Sequence, residues 1–232
     1  MDTAAKPHTE VSKAAMQEVL TRQKAAQLRD GAPSAEMRID RLERCIKLLK
    51  ENAQAIVDAL DRDFGARSKD GSMLTDIASS IGSLKNAQEN VRKWMRPEKR
   101  KTGFPMSLLG GKSAVLFQPK GVVGVIAPWN FPWNLTMAPL SGVLAAGNRA
   151  MIKPSEFTPE SSALMETLFK RYFKEDEIAV INGGPETGAA FASLAFGSIS
   201  TPGCRALYPA QMSLPLAKSH GTLQTSLSKV NS

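Results

Sequence analysis

GVVGVIAPWNFPWNLTMAPLSGVLAAGNRAMIKPSE, residues 121–156, decides how the chain is read. An apolar run bounded by Gly121 (122–127) predicts a buried strand. Residues from about 134 to 146 predict a helix, ended by Gly147 and Asn148, and 150–153 a second strand. An aromatic-amide turn, Pro128-Trp129-Asn130-Phe131-Pro132, separates the first strand from the helix. Lys153-Pro154-Ser155-Glu156 follows the second strand. Strands alternating with helices of this length predict right-handed βαβ units and a parallel sheet. Such sheets gather ligand-binding groups at the strand ends, where both polar turns fall.

The alternation continues downstream as helix 159–173, strand 178–182 and helix 185–193. Upstream, SAVLFQ (113–118) reads as a strand that pairs with a neighbour, and the net-basic stretch from Glu98 to Gly111 as a linker. Before it the pattern is helical. A weakly amphipathic helix over 11–29 is broken by Asp30-Gly31-Ala32-Pro33. Ser34 then caps a second helix whose apolar positions Ile39, Leu42, Ile46, Leu48, Leu49, Ala53, Ile56, Val57 and Leu60 recur at three- and four-residue steps until Phe64-Gly65. A third helix runs from about Leu74 to Met95. The expected organisation is an N-terminal extension (1–34, its first ten residues disordered), a helical region with linker (35–111), a partial dinucleotide-binding domain (112–196) and a tail (197–232). The tail is rich in Ser, Thr, Leu, Pro and Gly, predicts no further strand, and reads as disordered.

A hydrophobic share of 42% suffices for a core, and the formal charge of +8 is spread along the chain. The densest basic cluster, Arg92 to Lys101, has no nucleic-acid motif beside it and reads as a solvated helix end. The two cysteines, Cys45 and Cys204, give neither a disulfide framework nor a metal spacing. Cys45 falls in a helical apolar pattern and reads as core. His8 and His220 lie at opposite ends, which argues against a histidine pair or zinc site. No apolar run approaches the roughly 20 residues that span a bilayer, and no signal peptide opens the chain, so a cytoplasmic protein without membrane partners is expected.

Two turns carry chemistry. The prolines around Asn130 stiffen a strand end, from which its amide N–H could meet a developing oxyanion; equally, it could be a turn asparagine serving only the backbone. Lys153 and Glu156 could hold ribose hydroxyls or form a surface ion pair. The sequence Gly110-Gly111-Lys112-Ser113 is no P-loop, because Met106 stands where glycine is needed.

The set P-W-N-F-P, then A-A-G-N, then K-P-S-E-x-T-P resembles the aldehyde dehydrogenase superfamily. The likeness covers 35–196, ending through Gly183-Gly184-Pro185-Glu186-Thr187-Gly188. RLERCIKLLKENAQAIVDALDRDFGARS, RKWMRPEKR and AAGNRAMIKPSEFTP are most similar to its coniferyl aldehyde dehydrogenase branch. The resemblance implies an α/β fold with N-terminal helices and an incomplete Rossmann-like parallel sheet. It implies NAD(P)+-dependent oxidation of an aldehyde to the acid. By the same resemblance Asn130 is an oxyanion-hole donor. Lys153 and Glu156 hold the adenosine ribose, the backbone of Ile126, Ala127, Pro128 and Trp129 lines the cofactor cleft, and Gly184 allows close approach on the adenine side. NAD is expected over NADP because a carboxylate at Glu156 repels a 2′-phosphate. Intact relatives are expected to be homo-oligomers acting on small-molecule aldehydes.

The family's phosphate-contacting F-T-G-S turn, its E-L-G-G general-base segment and its nucleophilic cysteine do not occur in the sequence, and Cys204 lacks matching surroundings. The expectation is therefore a truncated chain without catalytic activity, or alternatively an interaction or weak dinucleotide-binding module. Ile199 to Gly203 can be encoded by bases that read Leu-Tyr-Thr-Gly in another frame, which suggests a frameshifted tail. An intact frame through this point, found on sequencing the locus, would overturn that idea. A sheet without its later strands is expected to leave one apolar face uncovered and to be marginally stable.

Overall fold

The computed structural model describes residues 9–202; the expectations for residues 1–8, Cys204 and the tail from 203 onward lie outside them. Helix α1 (Lys13–Asp30) is capped by Ser12, whose hydroxyl accepts from Ala15 N, and ends at Gly31. Helix α2 (Ala35–Glu51) begins at Ser34, whose hydroxyl accepts from Met37 N. One continuous helix is expected from 35 to 64, but the chain breaks at Asn52 (φ −120°, ψ 16°) and restarts as α3 (Ala53–Phe64). The apolar stripe runs on across this break, so periodicity alone does not reveal it. A left-handed Gly65 closes α3.

The third helical stretch starts earlier than expected. It comprises α4 (Lys69–Ser72), a π-helical turn (Met73–Ala78) and α5 (Ser79–Trp94). The stretch read as a linker contains a short strand, β1 (Glu98–Arg100), antiparallel to β2 (Ser113–Val115). SAVLFQ therefore does pair with a neighbour, over fewer residues.

The central sheet holds β3 (Val122–Ile126), β4 (Arg149–Lys153), β5 (Ile178–Val180) and β6 (Ser198–Ser200), all parallel, in the order β5-β4-β3-β6. Helices α6 (Asn134–Ala145), α7 (Pro159–Tyr172) and α8 (Pro185–Ala192) connect them in turn. Strand β6 corrects the expectation that alternation stops before 197. Ser-Ile-Ser has little strand character of its own; pairing supplies it, with Val123 opposite Ser198 and Val125 opposite Ser200. Its place beside β3, on the side away from β4, reverses the order in which the chain adds strands, and this is the switch point at which such sheets bind ligands.

Successive residues of each strand face opposite sides. Val123, Val125, Ala150, Ile152 and Ile178 pack with α2, α3, α5, α6 and α7. Val122, Ile126, Met151, Ala179 and Ile181 pack with Met16, Val19 and Leu20 of α1 and Phe191 of α8. The second face is therefore covered, contrary to expectation, because the first helix is an integral layer. Each large α1 side chain buried there contributes about 1.5–3 kcal/mol. Gln23 adds hydrogen bonds from Nε2 to the Ala150 and Glu175 carbonyls (3.0 and 2.8 Å), and Asp30 pairs with buried Arg149 at 2.6 Å. Gly124 is required in β3, since a Cβ there would lie 2.9 Å from the Phe196 ring and 3.2 Å from Phe191. On the first face, Glu177 at the entry to β5 takes Arg41 (3.1 Å) and Arg44 (2.9 Å) from α2. The packing thus joins the segments divided in the sequence at 34 and 111. Cys45 is fully buried in the helical layer, as its pattern predicts.

Candidate functional site

The loops leaving β3, β4 and β5 lie side by side at one edge of the sheet. Strand pairing continues past the strand ends: Ala127 N donates to Lys153 O (3.0 Å) and Ile181 N to Ile152 O (2.8 Å). Residues 126–130, 153–156 and 181–184 are therefore neighbours. Ile126 and Ala127 are buried, Pro128 is half-buried, and Trp129 (51% exposed) and Asn130 face solvent. The Asn130 side-chain amide has no hydrogen-bond partner among the described residues, which leaves its N–H groups available.

Although exposed, the turn is anchored. Arg67, in the loop between α3 and α4, donates from Nη1 to the Asn130 carbonyl (2.8 Å). Its guanidinium lies 4.8 Å from the Phe64 ring centre and 4.9 Å from that of Phe131. Its Nη2 pairs with Asp76 Oδ2 at 2.7 Å, and Asp76 is fully buried in the π-helical turn. The other Asp76 oxygen accepts from Trp133 N and Asn134 N (3.2 Å each), so a carboxylate from a distant helix caps the start of α6. Burial pushes the Asp76 carboxyl up, opposed by Arg67 and the α6 N–H groups. The sequence reading missed this clamp. Its signal was a carboxylate on the stripe Asp76, Ser80, Leu84, Ala87, Val91, all of which are buried.

The β4 corner is built more locally. Lys153 is 2% exposed, and its ammonium donates to Pro154 O (2.7 Å) and Glu156 Oε2 (3.3 Å). Burial lowers its proton affinity, while Glu156 and then Glu10 raise it. Ser155 Oγ accepts from Phe157 N (3.2 Å) and shapes the turn. Asn182, from the loop after β5, lines a 130 Å³ cleft beside Glu156 and Gly183. Its Oδ1 is buried without a partner among the described residues, and it too went unread in the sequence.

Gly184 is the buried N-cap of α8. Gly183 before it has φ 155°, and a Cβ there would lie 2.3 Å from Thr187 Oγ1, so this approach admits only glycine. Thr187 in turn is tied to the N-terminal segment. Its N donates to Glu10 Oε2 (2.8 Å), its hydroxyl donates to the same oxygen, and Val11 N donates to Thr187 Oγ1 (2.9 Å).

The sequence-read residues therefore gather at one sheet edge. Asn130 stands over β3, Lys153 and Glu156 over β4, and Gly184 over β5. No helix among the described residues is long and apolar enough to cross a membrane.

Comparison with known proteins matches this architecture. A probable coniferyl aldehyde dehydrogenase of Caulobacter vibrioides is 59% identical over 189 residues, 81% of this chain and 39% of that protein. The coniferyl aldehyde dehydrogenase of a Pseudomonas species is 51% identical over 177 residues, 76% of this chain and 36% of its own. The chain thus spans about two fifths of the length of these relatives. The substrate-bound structure of Staphylococcus aureus AldH superposes with a TM-score of 0.74 at 30% identity, covering 79% of this chain and 40% of that one. The family model described as "Aldehyde dehydrogenase family" matches residues 3–203, and the chain belongs to that family.

Proposed function

We propose that these residues form the cofactor-ribose site and the oxyanion-donating turn of an NAD(P)+-dependent oxidation of an aldehyde to its acid, with coniferyl aldehyde the substrate that the most similar relatives suggest. The observation that carries this reading is the adjacency of the clamped Asn130 turn and the Lys153–Glu156 corner at two neighbouring strand ends.

The residues present fit a dinucleotide. The Lys153 ammonium has three N–H groups and uses two on Pro154 and Glu156. The third, with Glu156 Oε1, supplies one donor and one acceptor for a ribose diol. A bound nicotinamide cofactor would supply the hydride acceptor. Asn130 would stabilise negative charge on the substrate oxygen, because an amide N–H held by an anchored backbone needs little reorganisation when charge develops. Arg67 and Asp76 fix where that N–H can be. Cys45 cannot serve as the nucleophile: it is buried in the helical layer, and burial pushes its thiol far up. Cys204 lies outside the described residues. We place the protein in the cytoplasm with small-molecule aldehydes as partners, and homo-oligomers are the expected state of intact relatives. Ion pairs on the basic stretch, Arg92 with Glu36 (2.7 Å) and Arg100 with Glu98 (2.5 Å), favour a solvated surface over a nucleic-acid face.

Calorimetric titration with NAD+, combined with a hydride-transfer assay on coniferyl aldehyde, tests the reading. Binding that Lys153→Ala abolishes, without turnover by the 232-residue chain, is the expected result. Binding unaffected by Lys153→Ala would overturn the assignment. Turnover would reveal an unassigned nucleophile.

A further inference from the structure

We infer that Glu10, outside every motif read from the sequence, is a specificity residue that disfavours a phosphate on the ribose 2′-oxygen and so sets a preference for NAD+ over NADP+. The inference rests on the dinucleotide reading of the Lys153–Glu156 corner and adds to it a group contributed by the N-terminal segment.

The argument begins with the helix end. Helix α8 starts at the Gly183-Gly184 turn, and its first N–H groups form a ready anion site. Glu10 already occupies that site. Its Oε2 accepts from the backbone and the hydroxyl of Thr187. Val11 N on Thr187 Oγ1 fixes the segment one residue further on. The Thr187 side-chain hydrogen bond is the main reason that the Glu10 carboxyl stays below its usual range, so it is charged at neutral pH. Glu10 and Lys153 also lie close enough for each to favour the other's charged form. Two carboxylates, Glu10 and Glu156, thus share the neighbourhood of one buried ammonium. A 2′-hydroxyl can donate to such a carboxylate. A 2′-phosphate brings about −1.5 to −2 charges and finds the Thr187 N–H already engaged by Glu10. In a partly solvated setting, one added like charge roughly 6–8 Å away changes affinity about five- to tenfold.

The test uses the full chain and four probes: NAD+, NADP+, 5′-AMP and adenosine 2′,5′-bisphosphate. Dissociation constants are measured by titration calorimetry for wild type, Glu10→Gln and Glu10→Ala. Glu10→Gln keeps an acceptor for Thr187 N, so α1 should stay docked, as the melting temperature will show. Wild type is expected to prefer the two ligands bearing a free 2′-hydroxyl. Glu10→Gln should narrow that preference about five- to tenfold by tightening the 2′-phosphorylated ligands, and high salt should shrink the difference. A preference unchanged in both variants, with dinucleotide still bound, overturns the role of Glu10 and leaves the ribose corner standing. Wild type binding none of the four probes overturns the dinucleotide reading itself, and this inference with it. Weaker binding of all four probes by equal factors would mark Glu10 as merely structural and count against the proposal.

Discussion

The turn after β3 and the corner after β4 sit at adjacent strand ends, yet they are held in opposite ways. The turn is held from a distance: Arg67 and Asp76 reach residues that follow them by 57 to 63 positions. The corner is held mainly by its own four residues, through Lys153 on Pro154 and Glu156. The difference teaches that the Asn130 turn inherits its shape from the helical layer, whereas Lys153 and Glu156 carry theirs with them. Substitutions in the helical layer should therefore disturb the turn more than substitutions within the corner disturb the corner.

The largest effect is expected from Asp76→Ala. It leaves Arg67 without its carboxylate and two α6 N–H groups without an acceptor. Breaking a buried pair from one side costs about 3–5 kcal/mol, and at about 2–4 °C per kcal/mol the melting temperature should fall by roughly 6–20 °C. Thermal unfolding followed by circular dichroism measures it. A melt indistinguishable from wild type would mean that the turn holds itself, and the contrast between turn and corner would collapse.

Glu177→Gln probes a second long-range tie, on the same face of the sheet but away from the turn. Burial raises the Glu177 carboxyl, but hydrogen bonding and charge from Arg44, then Arg41, outweigh it and hold the pKa down to about 2 from an ordinary 4.5. The sign follows from linkage: a depressed carboxyl stabilises the fold fully above its unfolded pKa and loses that contribution as pH falls toward the folded value. The stability gap between wild type and Glu177→Gln should be on the order of 2–3 kcal/mol at pH 7 and close as pH drops from about 4.5 to about 2. Urea titrations at several pH values measure this. A gap independent of pH would remove the ion pairs as its source.

Arg67→Lys should cost less, about 1–2 kcal/mol. The charge opposite Asp76 remains, but the planar group between Phe64 and Phe131 and the fork reaching Asn130 O are lost. Because Trp129 lies tilted against Phe64, with ring centres 6.3 Å apart, its emission should shift when the turn loosens. Unaltered emission together with unaltered stability would show that the stacked arginine leaves the turn's shape unaffected.

These contacts also mark what the sequence could reveal. Elements announced by local chemistry were legible: Ser34 as a cap, Gly65 as a stop, the apolar run of β3 and the glycine end of α6. The positions of Asn130, Lys153 and Glu156 at strand ends were legible in the same way, but local chemistry left each with a plain structural alternative, and only the family resemblance singled them out as site residues. What escaped depends on partners far along the chain. Strand β6 exists because β3 offers it a ladder. The break at Asn52 hides inside an unbroken apolar stripe, and α1, with its weak amphipathic pattern, gave no hint that it covers a whole face of the sheet. Arg67, Asp76 and Glu10 have no motif around them, and their roles come from where the fold delivers them.

The smallest stability effect, and the sharpest test of the contrast, is Glu156→Gln. The side chain is half-buried and its ion pair with Lys153 spans 3.3 Å over an i,i+3 step. Glutamine keeps an oxygen that can accept from the ammonium, and Lys153 retains its bond to Pro154 O. The loss should be about 1 kcal/mol, the difference between a charge-assisted and a neutral hydrogen bond to the ammonium. Removing the charge leaves burial of Lys153 less opposed, so its proton affinity should fall further, with Glu10 the remaining nearby anion. Affinity for 5′-AMP should drop more than the melting temperature does, because a ribose diol loses a charged acceptor worth more than a neutral one. Calorimetric binding and a thermal melt on the same preparation separate the two quantities. If Glu156→Gln instead melted as early as Asp76→Ala, the corner would depend on long-range structure as heavily as the turn does. Lys153 and Glu156 would then be a stabilising pair first and a ligand site second.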